Sequence, residues 1–393
     1  MKKIHILFIC VGMAVLAAGL LRAAAFPQDV NEYENRYANQ WPSLTAAACL
    51  DGSYQAGVEA ALMDQIPLAE SMKARYNRAT STFQKAALDA TRALAGIGGD
   101  RYVDFNGLRL FGDDCLTYWP RYAGSIQAEL DAKIATLNAT FARHPELDFT
   151  LYYIEKDSDL DFETGEKTGL ADYLLSGLAL PQARMGVYTI DSFQQFSENF
   201  YKTDAHWDHR GSLRGYHQLV ELLGIQEQPL QPAGDAVLVS QSFSGKKAAT
   251  VAAEGVFTES FYGYPYDFPA MTVTIDGQLA EDYGEQSAYL EGRAGKPVSY
   301  GDYYGGDNGE TILSTGTTGR GSILVIGESF DNAVLKLLAC HYDALYSIDL
   351  RYYEHSMGKP FDLTAYTQEH GISKVLLIGN IDYFIQDTFD PEV

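Results

Sequence analysis

An α/β fold, with a mostly parallel sheet covered by helices on both faces, is the class this sequence predicts, and three observations predict it. Short apolar runs rich in β-branched residues recur at Phe149 to Ile154, Gly186 to Ile190, Ser322 to Ile326, Leu345 to Leu350 and Val375 to Ile378. Segments with helical apolar spacing separate them, which argues for crossover connections between parallel strands. One run, Ser322-Ile323-Leu324-Val325-Ile326-Gly327, stops directly at a helix start, the geometry at which open sheets of this class bind ligands.

The N-terminus reads as an export signal. Lys2 and Lys3 precede an apolar stretch from Ile4 to Leu21, followed by Arg22 and three alanines before Phe26-Pro27. The stretch is close to the ~18 residues at which a spanning helix becomes plausible, so cleavage and retention as a membrane anchor both stay open. Residues 1–27 are therefore assigned to a signal peptide or membrane anchor, residues 28–99 to an N-terminal helical segment, and residues 100–393 to the α/β domain. In the second of these, Leu68, Met72, Tyr76, Ala79, Phe83, Ala87, Ala90 and Leu94 step by fours and threes, with Pro67 at the start and Gly96 at the end. This predicts a helix over 67–95 whose stripe packs on its own domain, a partner-binding helix being the alternative.

Asp204 and His206 lie two apart, so in an extended segment both side chains leave one face and the carboxylate can hold one imidazole nitrogen. Asp208 suits an N-cap, Leu213 to Leu223 carries helical apolar spacing, and Gly224 suits the C-cap. The pair thus sits in a loop ahead of a helix. A metal site from Asp204, His206 and His209 is a second reading, although no Cys pair or His-x-His supports the spacing.

A segment of about 229–321 then interrupts the α/β pattern with short β-like runs. Thr272 to Ile275 followed by Asp276-Gly277 is a hairpin signal. Tyr262, Tyr264, Tyr266, Tyr283, Tyr289, Tyr300, Tyr303 and Tyr304 crowd this insertion, and their rings suit either sugar stacking or the edges of small sheets.

Ser329, in Ile326-Gly327-Glu328-Ser329-Phe330, falls on the strand-to-helix turn that opens a helix from Phe330 to Cys340. There its hydroxyl is either a helix cap or a nucleophile. The unpaired N–H groups of a first helical turn favour negative charge, as an oxyanion hole requires.

Composition narrows the choices. With 29 basic against 52 acidic residues the chain carries a net charge of −23, which excludes a nucleic-acid partner, since no basic stripe exists to neutralise phosphates. The chain has four cysteines and no Cys-x-x-Cys. Outside the cell Cys49 and Cys115 can bridge, leaving Cys340 as a buried apolar residue on its helix. No cofactor motif occurs.

Taken together, Tyr201-Lys202-Thr203-Asp204-Ala205-His206-Trp207, the small-residue helix start at Gly211, Ile323 to Ser329 and the segment Leu345 to Tyr353 resemble the DHHW family. Those exported proteins are similar to alginate O-acetyltransferases and have an SGNH-hydrolase-like, flavodoxin-like fold. Asp51-Gly52-Ser53-Tyr54, Asp64-Gln65-Ile66-Pro67 and Asn106 to Phe111 extend the resemblance from about Asp51 to the C-terminus. Two positions depart from it: Ala205 replaces the first of two adjacent His, and Glu328 stands where Asp usually precedes the nucleophile. In ordinary SGNH hydrolases the nucleophile comes first and the Asp/His pair last. Here the order is permuted, as in the acetyltransferase relatives.

The resemblance implies a Ser329, His206 and Asp204 triad, with Arg351 as a substrate contact and Asn380 near the oxyanion or substrate position. Asn308, in the Gly305 to Asn308 turn, is a further candidate near the oxyanion site. The expected activity is an extracytoplasmic O-acetyltransferase or acetylesterase acting on an exported polysaccharide or cell-wall glycan. A membrane O-acyltransferase partner is implied as acyl source. The alternative is a non-catalytic glycan-binding or assembly protein that keeps the fold.

Overall fold

The computed structural model describes residues 2–28, 30–31, 36–66, 69–280, 283–284, 298–386 and 389–390. Pro67, Leu68 and Tyr289 lie outside them. The chain divides into one unit of Met1–Ala95 with Ala252–Val256, and a second of Gly96–Val251 with Phe257–Val393.

The first unit is helical, built from Lys2–Ala25, Ala46–Asp51, Ser53–Gln65 and Ala69–Ala95, with a small pairing of β1 (Val30–Asn31) and β2 (Arg36–Tyr37). Among the described residues no helix is long and apolar enough to cross a membrane. Buried Asp64 accepts from the Asn39 N–H and Nδ2, each at 2.8 Å. The Ala69–Ala95 helix corrects the reading of its stripe. Met72, Tyr76, Phe83 and Leu94 are exposed, while Ser81 on another face is buried and donates to the Ala252 carbonyl at 2.8 Å. Helical period alone does not say which face finds a neighbour, and here small and polar side chains admit the close approach of a backbone.

The second unit opens with an antiparallel meander of β3 (Val103–Phe105), β4 (Leu108–Phe111) and β5 (Cys115–Thr117). Its main sheet takes β6 (Asp148–Ile154) and β7 (Met185–Tyr188) before the insertion. Within the insertion, β8 (Val237–Phe243) and β9 (Glu259–Gly263) pair with each other, and β10 (Thr272–Ile275), β11 (Gln278–Ala280) and β12 (Glu310–Ser314) extend the main sheet. The chain closes with β13 (Ser322–Ile326), β14 (Ala344–Ile348) and β15 (Lys374–Gly379).

The eight-stranded sheet runs in the order β11-β10-β12-β14-β13-β15-β6-β7. From β14 to β7 every pairing is parallel, whereas β10, β11 and β12 are antiparallel. Counted from β13, the parallel part reads 2-1-3-4-5, the flavodoxin order. The chain is therefore a circular permutation of that order, with strands four and five, β6 and β7, coming first in sequence. This accounts for a loop after strand five preceding, in sequence, the loop after strand one.

Alternation along the strands divides the core into two layers. Tyr152, Ile154, Ile323, Val325 and Leu376 face one layer with Tyr216, Leu219 and Val334, whereas Leu151, Tyr153, Leu324, Ile326 and Leu377 face the other with Leu130, Leu174 and Tyr366. Helices thus cover both faces, as the near-continuous apolar strands require. The β10–β11 turn forms as its Asp-Gly demands, with φ 49° at Asp276 and 75° at Gly277. All four cysteines are free thiols, which overturns the Cys49–Cys115 bridge. Cys115 is fully buried, and burial pushes its thiol up to about 12.

Candidate active site

The β13 strand buries Ile323 to Ile326 completely, and the chain then turns sharply. A Cβ on Gly327 would collide with the Asp331 carboxylate and with Ile378, so glycine lets the turn lie flat on the sheet end. Ser329 sits on this turn, half-buried, with the Asp331 N–H bonded to the Glu328 carbonyl at 2.8 Å. The helix starts at Asn332 rather than at Phe330. Its N-cap position is Asp331, so Ser329 is not a helix cap. Among the described residues, the N–H groups of Ser329 and Phe330 donate to no protein acceptor.

Asp204 and His206 lie on the loop ahead of the helix His209–Leu222, which Asp208 caps by accepting from the N–H of Arg210 and Gly211. The loop is a turn, not the extended segment expected: the Asp204 carboxylate accepts the His206 N–H at 3.1 Å, an Asx turn. The same Oδ1 lies 2.5 Å from His206 Nδ1, and Oδ2 accepts the Lys246 N–H at 2.6 Å. Gly245 permits this approach, because a Cβ there would overlap the Asp204 side chain. On its other side His206 Nε2 lies 2.6 Å from Ser329 Oγ. Carboxylate, imidazole and hydroxyl form one hydrogen-bonded chain.

Electrostatics give this chain a direction. Burial acts to raise the Asp204 carboxyl, but the His206 ring and the donors on both oxygens outweigh it and hold the group at about 2. An ionised Asp204 is an acceptor only. It therefore assigns the ring proton to Nδ1 and leaves the Nε2 lone pair for the serine hydroxyl. Glu328, beside the serine, behaves oppositely: burial pushes it up to about 7 against the opposing pull of Arg351. Burial raises Asp331 far above the carboxylate range, with Asp349, Asp307 and Glu328 adding to the effect, and its Oδ2 has no partner.

Arg351 lies against the Asp349 carboxylate at 2.9 Å and 2.5 Å, with Asp307 at 3.3 Å and Glu328 Oε2 at 3.6 Å. Asn380 donates to Glu328 Oε1 and caps the short helix Ile381–Phe384. Both residues are thus brought to Glu328, the neighbour of Ser329. Asn308 is not: its amide is spent on the Gly305 and Gly306 carbonyls and on Thr311 Oγ1. The metal reading of Asp204, His206 and His209 also lacks support, since both ring nitrogens of His206 are engaged. Among the described residues no group of three ligating side chains comes together.

Two supports of the site escape sequence reading. The Tyr300 ring stacks flat on the His206 imidazole, centroids 3.9 Å apart and planes within 7°, while its hydroxyl accepts from Trp207 Nε1 at 3.2 Å. Glu259 accepts from the Lys202 and Thr203 N–H groups and from Thr203 Oγ1, pinning the chain just before Asp204. Both come from the insertion, and no local pattern marks them. Tyr283, Tyr300, Tyr303 and Tyr304 are buried, so these four of the insertion's tyrosines pack as core instead of offering faces to a sugar.

No protein-family model matches this sequence, and no curated protein matches it. Solved structures do match in fold. One is PatB1 of Bacillus cereus carrying a sulfonyl adduct, at a TM-score of 0.56 and 19% identity over 75% of this chain and 99% of that one. A second structure of PatB1 matches at a TM-score of 0.52 and 18% identity, over 74% of this chain and 99% of that one. Another is a DHHW family protein from Eubacterium siraeum, at 0.53 and 13% identity over 73% and 94%. The chain is thus similar in fold to PatB1 and to a DHHW family protein, and the resemblance read in its motifs extends to its α/β architecture.

Proposed function

We propose that this protein is an extracytoplasmic serine-dependent O-acetyltransferase or acetylesterase acting on an exported polysaccharide or cell-wall glycan. The hydrogen-bonded series Asp204, His206 and Ser329 carries the reading. As Ser329 Oγ attacks an acyl carbonyl, its proton passes to His206 Nε2 and the new Oγ–C bond forms. Asp204, ionised at neutral pH, holds the resulting imidazolium. The free N–H groups of Ser329 and Phe330 supply donors for the oxyanion, each worth roughly 3–4 kcal/mol in a transition state when well placed. The alcohol or carrier then leaves with the proton from His206. Water or a sugar hydroxyl, deprotonated by the same ring, takes the acyl group in the second half.

That PatB1 has been captured with a sulfonyl adduct supports looking for the same reactivity here. The resemblance further implies that a membrane O-acyltransferase delivers the acyl group and that the N-terminal segment, if uncleaved, holds the protein at the membrane.

The test is incubation of the purified protein with an activated acetyl ester, followed by peptide mass spectrometry. An acetyl group on Ser329, absent in Ser329→Ala and accumulating slowly in His206→Ala, is the expected result. Turnover retained in Ser329→Ala would defeat the proposal.

A further inference from the structure

The Ala69–Ala95 helix carries an apolar face that the acyl-transfer steps do not use. Met72, Tyr76, Phe83 and Leu94 are 69%, 72%, 75% and 90% exposed. At 3.6 residues per turn, an arc of about 80° holds these four side chains and otherwise only alanines, along about 33 Å of helix. The side that packs is the opposite one. Ser81 there is buried and donates to the Ala252 carbonyl at 2.8 Å, and Arg78 Nη2 donates to the Gly255 carbonyl at 3.4 Å. Both acceptors belong to the same unit as the helix, so its polar side holds it in place and its apolar side faces outward. Single apolar side chains on a surface are ordinary, whereas a continuous stripe of this length marks a face with an occupant.

Charge selects that occupant. Lys73, Arg75, Arg78, Lys85 and Arg92 stand against only Glu70 and Asp89, so this helix is cationic in a chain whose net charge is −23. Lys73 and Arg75, both exposed, border the stripe on its two sides. Two copies meeting through the stripe would set equal positive charges against each other. An anionic lipid surface satisfies both features, its acyl region taking the apolar side chains and its phosphates the bordering cations. Tyr76 joins an apolar ring to a polar tip, which suits the level of the headgroups. The charges on the remaining faces keep such a helix in the plane of the interface instead of across the bilayer.

We propose that the Met72, Tyr76, Phe83 and Leu94 face, bordered by Lys73 and Arg75, is a docking surface that lies in the headgroup region of an anionic membrane. It depends neither on the chemistry at Ser329 nor on whether residues 1–27 are cleaved.

The test uses the full-length protein and vesicles of phosphatidylcholine, alone or mixed with phosphatidylglycerol, whose acyl chains are brominated. Tyr76→Trp places an indole in the stripe, and brominated chains quench it only on contact. Quenching beyond that of the parent, which has Trp41, Trp119 and Trp207, therefore reports insertion of this helix even where the N-terminal segment also inserts. The ratio of quenched to unquenched added emission measures docking. It should be at least about fivefold higher with phosphatidylglycerol than without, the factor expected from one surface cation on anionic lipid. Adding Met72→Ser and Phe83→Ser should lower it by about tenfold or more, as loss of two buried apolar side chains requires. Adding Lys73→Gln and Arg75→Gln should lower it by about tenfold on phosphatidylglycerol vesicles and by less than about twofold on phosphatidylcholine alone. Leu279→Trp, on the exposed hairpin, is the surface control and should show no added quenching. Absence of quenching in Tyr76→Trp, quenching that survives the two serine substitutions, or equal quenching of Leu279→Trp overturns the proposal. A dimer seen by light scattering without lipid, and dissolved by Phe83→Ser, would overturn it in favour of a second copy as the occupant.

Discussion

Replacing Tyr300 separates its two contacts. The ring lies 3.9 Å from the imidazole centroid in a parallel stack, and the hydroxyl accepts from buried Trp207 Nε1. Stacking of this kind is worth about 0.5–1.5 kcal/mol, and the interaction grows by up to a further ~1 kcal/mol when the imidazole becomes a cation over an aromatic face. Tyr300→Leu should therefore lower kcat for 4-nitrophenyl acetate by up to about fivefold with little change in KM, because only the strengthening of the contact as charge develops is lost from the transition state. Tyr300→Phe keeps the stack and strands one buried indole N–H, so its cost of about 1–3 kcal/mol falls on stability. Rates are to be measured well below each variant's melting temperature, with active serine counted by burst amplitude. The expected pattern is a slow, folded Leu variant and a less stable Phe variant with near-parental kcat. Equal kcat in the two variants would refute the claim that the ring acts through His206.

Further outcomes follow from the buried charges. Asp204→Asn should lower kcat by roughly 10³–10⁴-fold by disturbing the tautomer, read by steady-state turnover. The same carboxyl, at about 2 when folded against 3.8 for the free group, contributes about 2 kcal/mol of stability above pH 4. That contribution disappears as pH falls through about 2, so urea denaturation of Asp204→Asn should show a flatter acid limb. Glu328 has the opposite sign. Its folded form keeps a proton that the unfolded chain loses above 4.5, so stability should fall by at most about 3 kcal/mol between pH 4.5 and 7. Melting curves of Glu328→Gln should lose that slope. Lys247 and Asp157 form a fully buried pair at 2.7 Å next to the Lys246 N–H that holds Asp204. Lys247→Met should cost about 3–5 kcal/mol in chemical denaturation by leaving Asp157 uncompensated, and adding Asp157→Leu should recover much of it.

What was legible in the sequence is what short-range physics controls. The β13 run, the Asp208 cap and the Asp276-Gly277 turn each depend on neighbours within a few residues, and each forms as read. The spacing of Asp204 and His206 foretold their contact, although an Asx turn rather than an extended segment provides it. Supports arriving from the insertion were not legible. Tyr300 and Glu259 meet the loop through pairings that only the folded chain creates, and a tyrosine-rich composition reads alike for a sugar platform and for a core. Arg351 and Asn380 came only from the family resemblance, and no local pattern showed that their donors also meet Glu328, Asp349 and Asp307, buried carboxylates that need compensation. The outward turn of Met72, Tyr76, Phe83 and Leu94 was not legible either, because helical period marks a face without saying what covers it.

The central claim, that Ser329 is activated by His206 oriented by Asp204, is tested most directly by a phenylsulfonyl fluoride time course with peptide mapping. A single adduct on Ser329, formed at least about 100-fold more slowly in His206→Ala as general-base assistance requires, is the predicted result. An unmodified Ser329 under conditions that label a reference serine hydrolase, or labelling at the same rate without the imidazole, would contradict it.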